Sequence, residues 1–381
     1  MEEKTPVTET VTGDAAATSV KKTREPLFHL VKRDVVDKKT PFLVRGIAVV
    51  SALIVCSLIT FFLVGAPLPE FIELLFEGSF ASARRILNLL QALAILLCIS
   101  LALAPAFKMR FWNIGAEGQV LVGGLACAAC MICLGGLPNG VLIPIMLIAS
   151  VLAGAIWAFV PAFFKARFGT NETLFTLMMN YVAIQLIAYF STIWENPKGS
   201  GHIGVIKSGQ FPKLFGQPYI LNILIVVLLT AAIYIYLKYS KHGYEIDVVG
   251  QSENTARYIG IDVKRVIIRT MIISGAICGI AGFLLVGGTD HTVNANTAGG
   301  QGFTAIMVAW LAKFNPLYMI LTAFMIVFLE SGSAEIVSKF SDSLNGSYAD
   351  ILTGVFLFFV IGSEFFLRYK IKLRKKHGEV C

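Results

Sequence analysis

The sequence predicts an all-α protein that crosses a lipid bilayer many times. Three observations carry that prediction: its composition, the length of its apolar runs, and the places where its basic residues gather. Hydrophobic residues make up 56% of the chain and charged residues 15%, with a mean hydropathy of +0.73. A soluble domain is about 45–50% apolar and about 25% charged. A water-soluble core cannot absorb so much apolar surface, so the excess must face lipid, and the 28 Phe suit acyl chains.

The apolar runs come next. A helical span needs about 20 mostly apolar residues. Runs of that length lie near 46–66, 85–106, 116–135, 141–164, 172–194, 219–238, 266–287, 317–337 and 349–368, and a shorter one covers 303–312. Together they form an expected membrane domain over 42–369, between a polar tail, 1–41, and a basic tail, 370–381. The first tail is rich in Thr, Lys and Asp, lacks the early apolar core of a cleavable signal peptide, and reads as mobile.

The basic residues set the expected orientation, because Lys and Arg favour the cytosolic ends of spans. Lys21, Lys22, Arg24, Lys32, Arg33, Lys38, Lys39 and Arg45 precede the first span. Lys108 and Arg110, then Lys165 and Arg167, then Lys238, Lys241, Arg257, Lys264 and Arg265 fall in alternate loops, which come out cytosolic. Loop 136–140 has no basic residue and comes out external, as does 195–218 despite three Lys. The ending Lys370-Ile-Lys-Leu-Arg374-Lys375-Lys376 must also be cytosolic, and nine crossings would strand it outside. Parity therefore requires 303–312 to cross, or nearly cross, as a short eighth segment ending at Lys313, before the break at Phe314-Asn315-Pro316. A short helix beside Gly299, Gly300 and Gly302 also fits a transport pathway, where irregular backbone is tolerated at membrane depth.

Composition also excludes classes. The net charge of +8 is not arranged as a basic face interleaved with aromatics, which argues against a nucleic-acid partner. Six of the seven Cys lie in apolar runs, and Cys127, Cys130 and Cys133 have no His or carboxylate beside them, so packing fits better than a metal. No G-x-x-x-x-G-K-[ST] phosphate loop, His/Glu zinc motif or G-x-S-x-G elbow occurs, so the chain is not expected to be an enzyme or to hold a cofactor.

Four stretches carry a more specific signal. Residues 240–265 form a loop in which Ser252 is an N-cap for a short amphipathic turn, Ala256, Tyr258 and Ile259 follow, and Gly260 stops it. Phe111-Trp-Asn113-Ile-Gly115-Ala-Glu117-Gly118-Gln119 leads into the third span. Gly169-Thr-Asn171-Glu172 opens the fifth, with Asn180-Tyr181 beyond it. Gly300-Gln-Gly-Phe303-Thr-Ala-Ile-Met-Val-Ala-Trp310 precedes Asn315-Pro316.

The first stretch resembles the coupling-helix region of ABC importer permeases of the ribose and nucleoside class, with Gln251-Ser252 departing at its start. The second is similar to the Phe-Asn-Ile-Gly-x-Glu-Gly-Gln signature of nucleoside-class permeases, with Trp112 as a departure. The other two resemble further segments of the same family, where Trp310 and Ala312 replace smaller or different residues. The resemblance covers most of residues 85–365 and points to the permease subunit of a bacterial nucleoside-class importer, related to ribose and branched-chain amino acid permeases. It implies ATPase coupling through Gly250, Glu253, Ala256, Arg257, Tyr258 and Gly260. It implies motif roles for Asn113, Gly115, Glu117, Gly118, Gln119, Asn171 and Glu172, with Asn113 and Glu117 bracing a loop near the ATPase side. It also implies the partners: an ATPase that uses ATP and magnesium, a second permease subunit, and an external substrate-binding lipoprotein, all at a bacterial cytoplasmic membrane.

Polar groups inside spans are costly unless paired, so each is a candidate site. Asn180, Gln185, Glu330 and Glu335 qualify, with Asn294 and Asn296 near the external mouth; interhelical packing is the competing reading. A neutral polar substrate calls for amides and an aromatic platform, which Asn180, Phe303 and Trp310 would supply, with Glu330 as a further pathway candidate. Two alternatives stand beside nucleosides: a simple sugar such as ribose or galactose, or proton-coupled secondary transport through Glu330 or Glu335.

Overall fold

The computed structural model describes residues 28–32, 40–214, 216–341 and 344–373. Most of the two tails, including Lys21, Lys22, Arg24, Arg33, Lys38, Lys39, Arg374, Lys375, Lys376 and Cys381, lies outside the described residues.

The helices are α1 (Thr40–Val64), α2 (Leu68–Phe80), α3 (Ala83–Lys108), α4 (Ala116–Cys133), α5 (Asn139–Phe168), α6 (Glu172–Ile193), α7 (Ile220–Tyr239), α8 (Lys241–Gln251), α9 (Glu253–Tyr258), α10 (Val263–Leu285), α11 (Gln301–Leu311), α12 (Pro316–Lys339) and α13 (Ser347–Arg368). Helix α10 runs on into a π-helical turn, Val286–Asp290. Among the described residues nine helices are long and apolar enough to span a bilayer, and α11 is a shorter apolar helix. These match the expected runs one for one.

Three elements were not anticipated. Helix α2 buries Phe71, Leu74 and Leu75, but thirteen residues are too few to register as a span. Helix α8 starts where Ser240 Oγ accepts from Gly243 N at 2.9 Å, making the 240–265 loop helical almost throughout. The third is a two-stranded antiparallel ribbon, β1 (Phe28–Lys32) with β2 (Tyr369–Leu373), which qualifies the all-α expectation. Strand β2 alternates Tyr, Lys, Ile, Lys and Leu, the period of a strand, and runs from the end of the expected membrane domain into the basic tail.

By contact the chain divides into two units. One is built from both ends, 1–48 with 362–381, and holds the ribbon and an Arg45–Glu364 ion pair of 3.6 Å. The other is residues 49–361.

Helix α10 is the centre of the larger unit, with 72% of its apolar window buried, against 22% for α6. Small residues put it there. Gly275 and Gly279 lie four apart and meet Gly154 and the Ser150 carbonyl of α5, while Gly282 meets α4 at Val120 and Gly124. A Cβ at Gly279 would strike the Ser150 backbone, so only glycine permits this approach. A second cluster joins Cys56, Phe71, Leu329, Leu352 and Phe356 of α1, α2, α12 and α13.

The larger unit has two distinguishable ends. At one, α8 and α9 join α7 to α10, and Lys108, ending α3, pairs with Asp247 of α8 at 2.8 Å. At the other, the 194–219 loop packs over the helix ends: Ser208 Oγ donates to Met131 O at 2.6 Å, and Ile206 N donates to His291 O at 2.8 Å.

Candidate functional site

Helix α4 does not start at the α8–α9 end. Beyond Lys108 the chain turns at Arg110, which has a left-handed φ of 63°, and residues 111–115 climb inward. Asn113 is fully buried and donates to Ser274 of α10 at 3.3 Å. Ile114 O accepts from Asn180 Nδ2 of α6 at 2.9 Å. At about 1.5 Å of rise per residue, Ser274 is about 16 Å into α10 and Asn180 about 12 Å into α6. A bilayer core is about 30 Å thick, so α4 begins near mid-depth.

Helix α11 begins at the same level. Glu117, in the first turn of α4, accepts from Gly300 N at 2.8 Å through Oε1 and from Gly302 N at 2.7 Å through Oε2. From there α11 descends toward the α8–α9 end, where Phe314 stacks on Phe107 of α3 with centroids 6.0 Å apart. Two broken helices thus meet N-terminus to N-terminus inside the bilayer. Gly302 has no space for a Cβ, which would lie 2.5 Å from Glu117 N.

Polar side chains seal the junction. Asn113 and Gln119 exchange amide hydrogen bonds of 3.2 and 3.3 Å. Asn113 Oδ1 also accepts from Gly115 N at 3.1 Å, and Asn180 Oδ1 from Gly118 N at 2.9 Å. Thr176 Oγ1 accepts from Ile114 N at 3.2 Å and donates to Glu172 O at 2.7 Å. The residues of the second motif are therefore the parts that start a helix in the middle of a membrane. Asn113 and Glu117 hold this junction together at mid-depth, away from the α8–α9 end.

Asn171 and Glu172 have separate structural tasks. Asn171 Oδ1 caps α6, accepting from Thr173 N and Leu174 N at 3.0 and 3.2 Å, and Glu172 pairs with Lys165 of α5 at 2.7 Å.

The pathway candidates separate in space. Asn180 is 3% exposed and spends its amide on α4, so it belongs to the brace. Phe303 and Trp310 lie on one open stripe of α11 with Met307, and Trp310 meets Trp112 with centroids 5.2 Å apart. Glu330 stands on α12 within electrostatic reach of Asp350 on α13 and outside the Glu117 network. Glu335 pairs with Arg85 at 2.9 Å. Gln185 is exposed, and Asn294 accepts from Asn296 N at 2.8 Å within a surface turn.

In the 240–265 loop, Ser252 Oγ accepts from Thr255 N at 3.3 Å, and Gly260 ends α9 at a φ of 86°. Ala256 is buried, whereas Tyr258 is 92% exposed and Arg257, paired with Glu253 at 3.4 Å, projects beside it. Gly250 lies on α8 and packs against the Lys108 carbonyl.

Thr176 and Ser274 complete the junction without any sequence signal, since single hydroxyls are common in spans. Trp112 stood out only as a departure from the motif, and the structure gives it a partner in Trp310.

Comparison with known proteins agrees with this architecture. The guanosine ABC transporter permease protein NupP of Bacillus subtilis is 29% identical, aligned over 80% of this chain and 88% of that protein. The glucose ABC transporter permease protein TsgB13 of Haloferax volcanii is 28% identical over 74% of this chain and 77% of its own length. The nucleoside ABC transporter permease protein NupB of Lactococcus lactis is 26% identical over 76% and 82%. Residues 85–361 match the family described as branched-chain amino acid transport system, permease component, and the chain belongs to that family as a multi-span transport subunit.

Proposed function

We propose that the chain is the membrane-spanning subunit of an ATP-driven importer of nucleosides. The observation that carries this reading is the mid-depth junction of α4 and α11, which opens onto Trp112, Phe303 and Trp310. Exposed aromatic faces suit a flat, neutral solute such as a nucleobase on its ribose. Two of the relatives named above are nucleoside permeases. The glucose permease of Haloferax volcanii supports a second reading, a simple sugar.

In this scheme the α8–α9 end is cytosolic, in a bacterial cytoplasmic membrane, and both termini lie on that side. A separate ATPase, which binds the ATP and magnesium, docks on α9 through Arg257 and Tyr258. A second permease subunit and an external substrate-binding lipoprotein complete the importer.

Arg257→Glu is expected to abolish uptake while leaving the folded protein at normal abundance, because the side chain is exposed and its only described ion pair is local. Co-purification of an ATPase with the wild-type chain, lost in this variant, checks the docking. Competition of labelled uridine uptake by guanosine and by ribose or glucose checks the solute. Displacement by sugar alone would favour the second reading, and normal uptake in Arg257→Glu would remove the docking assignment.

A further inference from the structure

The N-terminus of a helix is ordinarily a ready anion site, because its first amides lack partners and the helix dipole favours negative charge. Broken helices in transporters commonly aim that end at an anionic group of the solute. In this chain the end of α11 is filled from within. Gly300 N and Gly302 N go to the two oxygens of Glu117. Gln301 N donates to Ala298 O at 2.9 Å, and Phe303 N and Thr304 N both donate to Gly300 O, at 3.0 and 3.2 Å. Each amide from Gly300 to Thr304 is therefore taken.

Both Glu117 oxygens accept from backbone N–H groups, a pair of charge-assisted hydrogen bonds that favours the ionised carboxylate. The charge is offset locally. Two helix N-termini, that of α4 and that of α11, each present about half a positive charge to it.

We propose that Glu117 is a built-in counter-anion for α11, a positioning and specificity-determining residue that keeps this helix end closed to carboxylates and phosphates. The open stripe of α11 then offers aromatic faces to an uncharged solute, and the junction offers no free positive site to an acid. This rests on the importer reading for its meaning but not for its melting test.

The test is thermal unfolding of the purified full chain in detergent, with gluconate as the background anion. Glu117→Ala vacates a space the size of a small carboxylate. Its melting temperature is expected to rise saturably with formate and not with formamide, the neutral isostere, while wild type responds to neither. Equal responses to formate and formamide, or the same formate response in wild type, would overturn the proposal. So would a Glu117→Ala melting temperature that formate does not move.

If Glu117→Ala yields no folded protein, Glu117→Gln decides. It keeps the size, loses the charge and leaves one amide without an acceptor, so about a tenfold loss of uptake per copy in the membrane is expected, with a lower melting temperature. Wild-type behaviour of Glu117→Gln in both would sink the idea. The melting measurement uses neither solute nor ATPase. A formate-rescued variant in a protein that turned out to carry a simple sugar would therefore overturn the nucleoside reading alone.

Discussion

Two carboxylates in this protein make the same clamp in opposite surroundings. Glu195 accepts from Gly199 N at 2.7 Å and Gly201 N at 3.1 Å, in the loop after α6. Glu117 accepts from Gly300 N and Gly302 N, also two residues apart, at 2.8 and 2.7 Å. The first clamp lies at the surface, and water would satisfy the same groups if it opened. The second is buried at mid-depth, where an unpaired amide has no alternative. Identical geometry is therefore a minor loop feature in one place and a condition of the architecture in the other. The glycines differ as well. Gly199 and Gly201 are needed for left-handed backbone, at φ of 85° and 67°, with open space around them. Gly302 is needed because α4 fills the space where a side chain would go.

The largest effect that would test this contrast is expected from Gly302→Val. Its branched side chain must push α11 off the Glu117 backbone, a cost of roughly 3 kcal/mol by analogy with overpacked cores. Lost uptake and a lower melting temperature would support it; wild-type values for both would show that the two helix ends are not in fixed contact. Asn180→Ala should come next. It strands Gly118 N and Ile114 O, at about 1–2 kcal/mol, with reduced uptake and retained abundance. Glu195→Gln should be close to silent in both assays, and a loss as large as that of Asn180→Ala would erase the contrast.

The exposed clamp has a pH signature of its own. The amides of Gly199 and Gly201 hold the Glu195 carboxyl below the usual carboxylate range. A depressed value means the clamp contributes in full above the ordinary carboxylate pKa and is lost as pH falls through the lowered one. Amide exchange at Gly199 and Gly201, corrected for intrinsic pH dependence, should accelerate only in strongly acidic buffer, and Glu195→Gln should remove that dependence.

Much of the span layout was legible in the sequence because twenty-residue apolar runs report bilayer thickness directly. Parity of charged loops even required the short segment near 303–312, which is α11. What stayed hidden has local physical reasons. Helix α2 is too short to stand out against long spans, and the ribbon strands are hidden by their Lys residues. The site was partly legible: Asn113, Glu117 and Gln119 stood out as polar groups at a span entrance. Their meeting with Gly300 and Gly302 was not, because it spans 183 positions of sequence and depends on α4 starting at mid-depth. Asn180 looked like a pathway residue for the same reason, since a single polar group in a span does not reveal which neighbour uses it.

The shortness of α11 bears on how the chain enters the membrane. Eleven residues cover about 16 Å, too little to be threaded across a bilayer as an independent segment. Glu117 arrives during synthesis long before the amides that neutralise it. Until α10 and α12 flank the gap and α11 drops into place, the carboxylate waits without its partner. A nascent chain that stops short of residue 300 therefore lacks the two backbone donors that Glu117 meets in the folded protein, and this junction closes only late in synthesis.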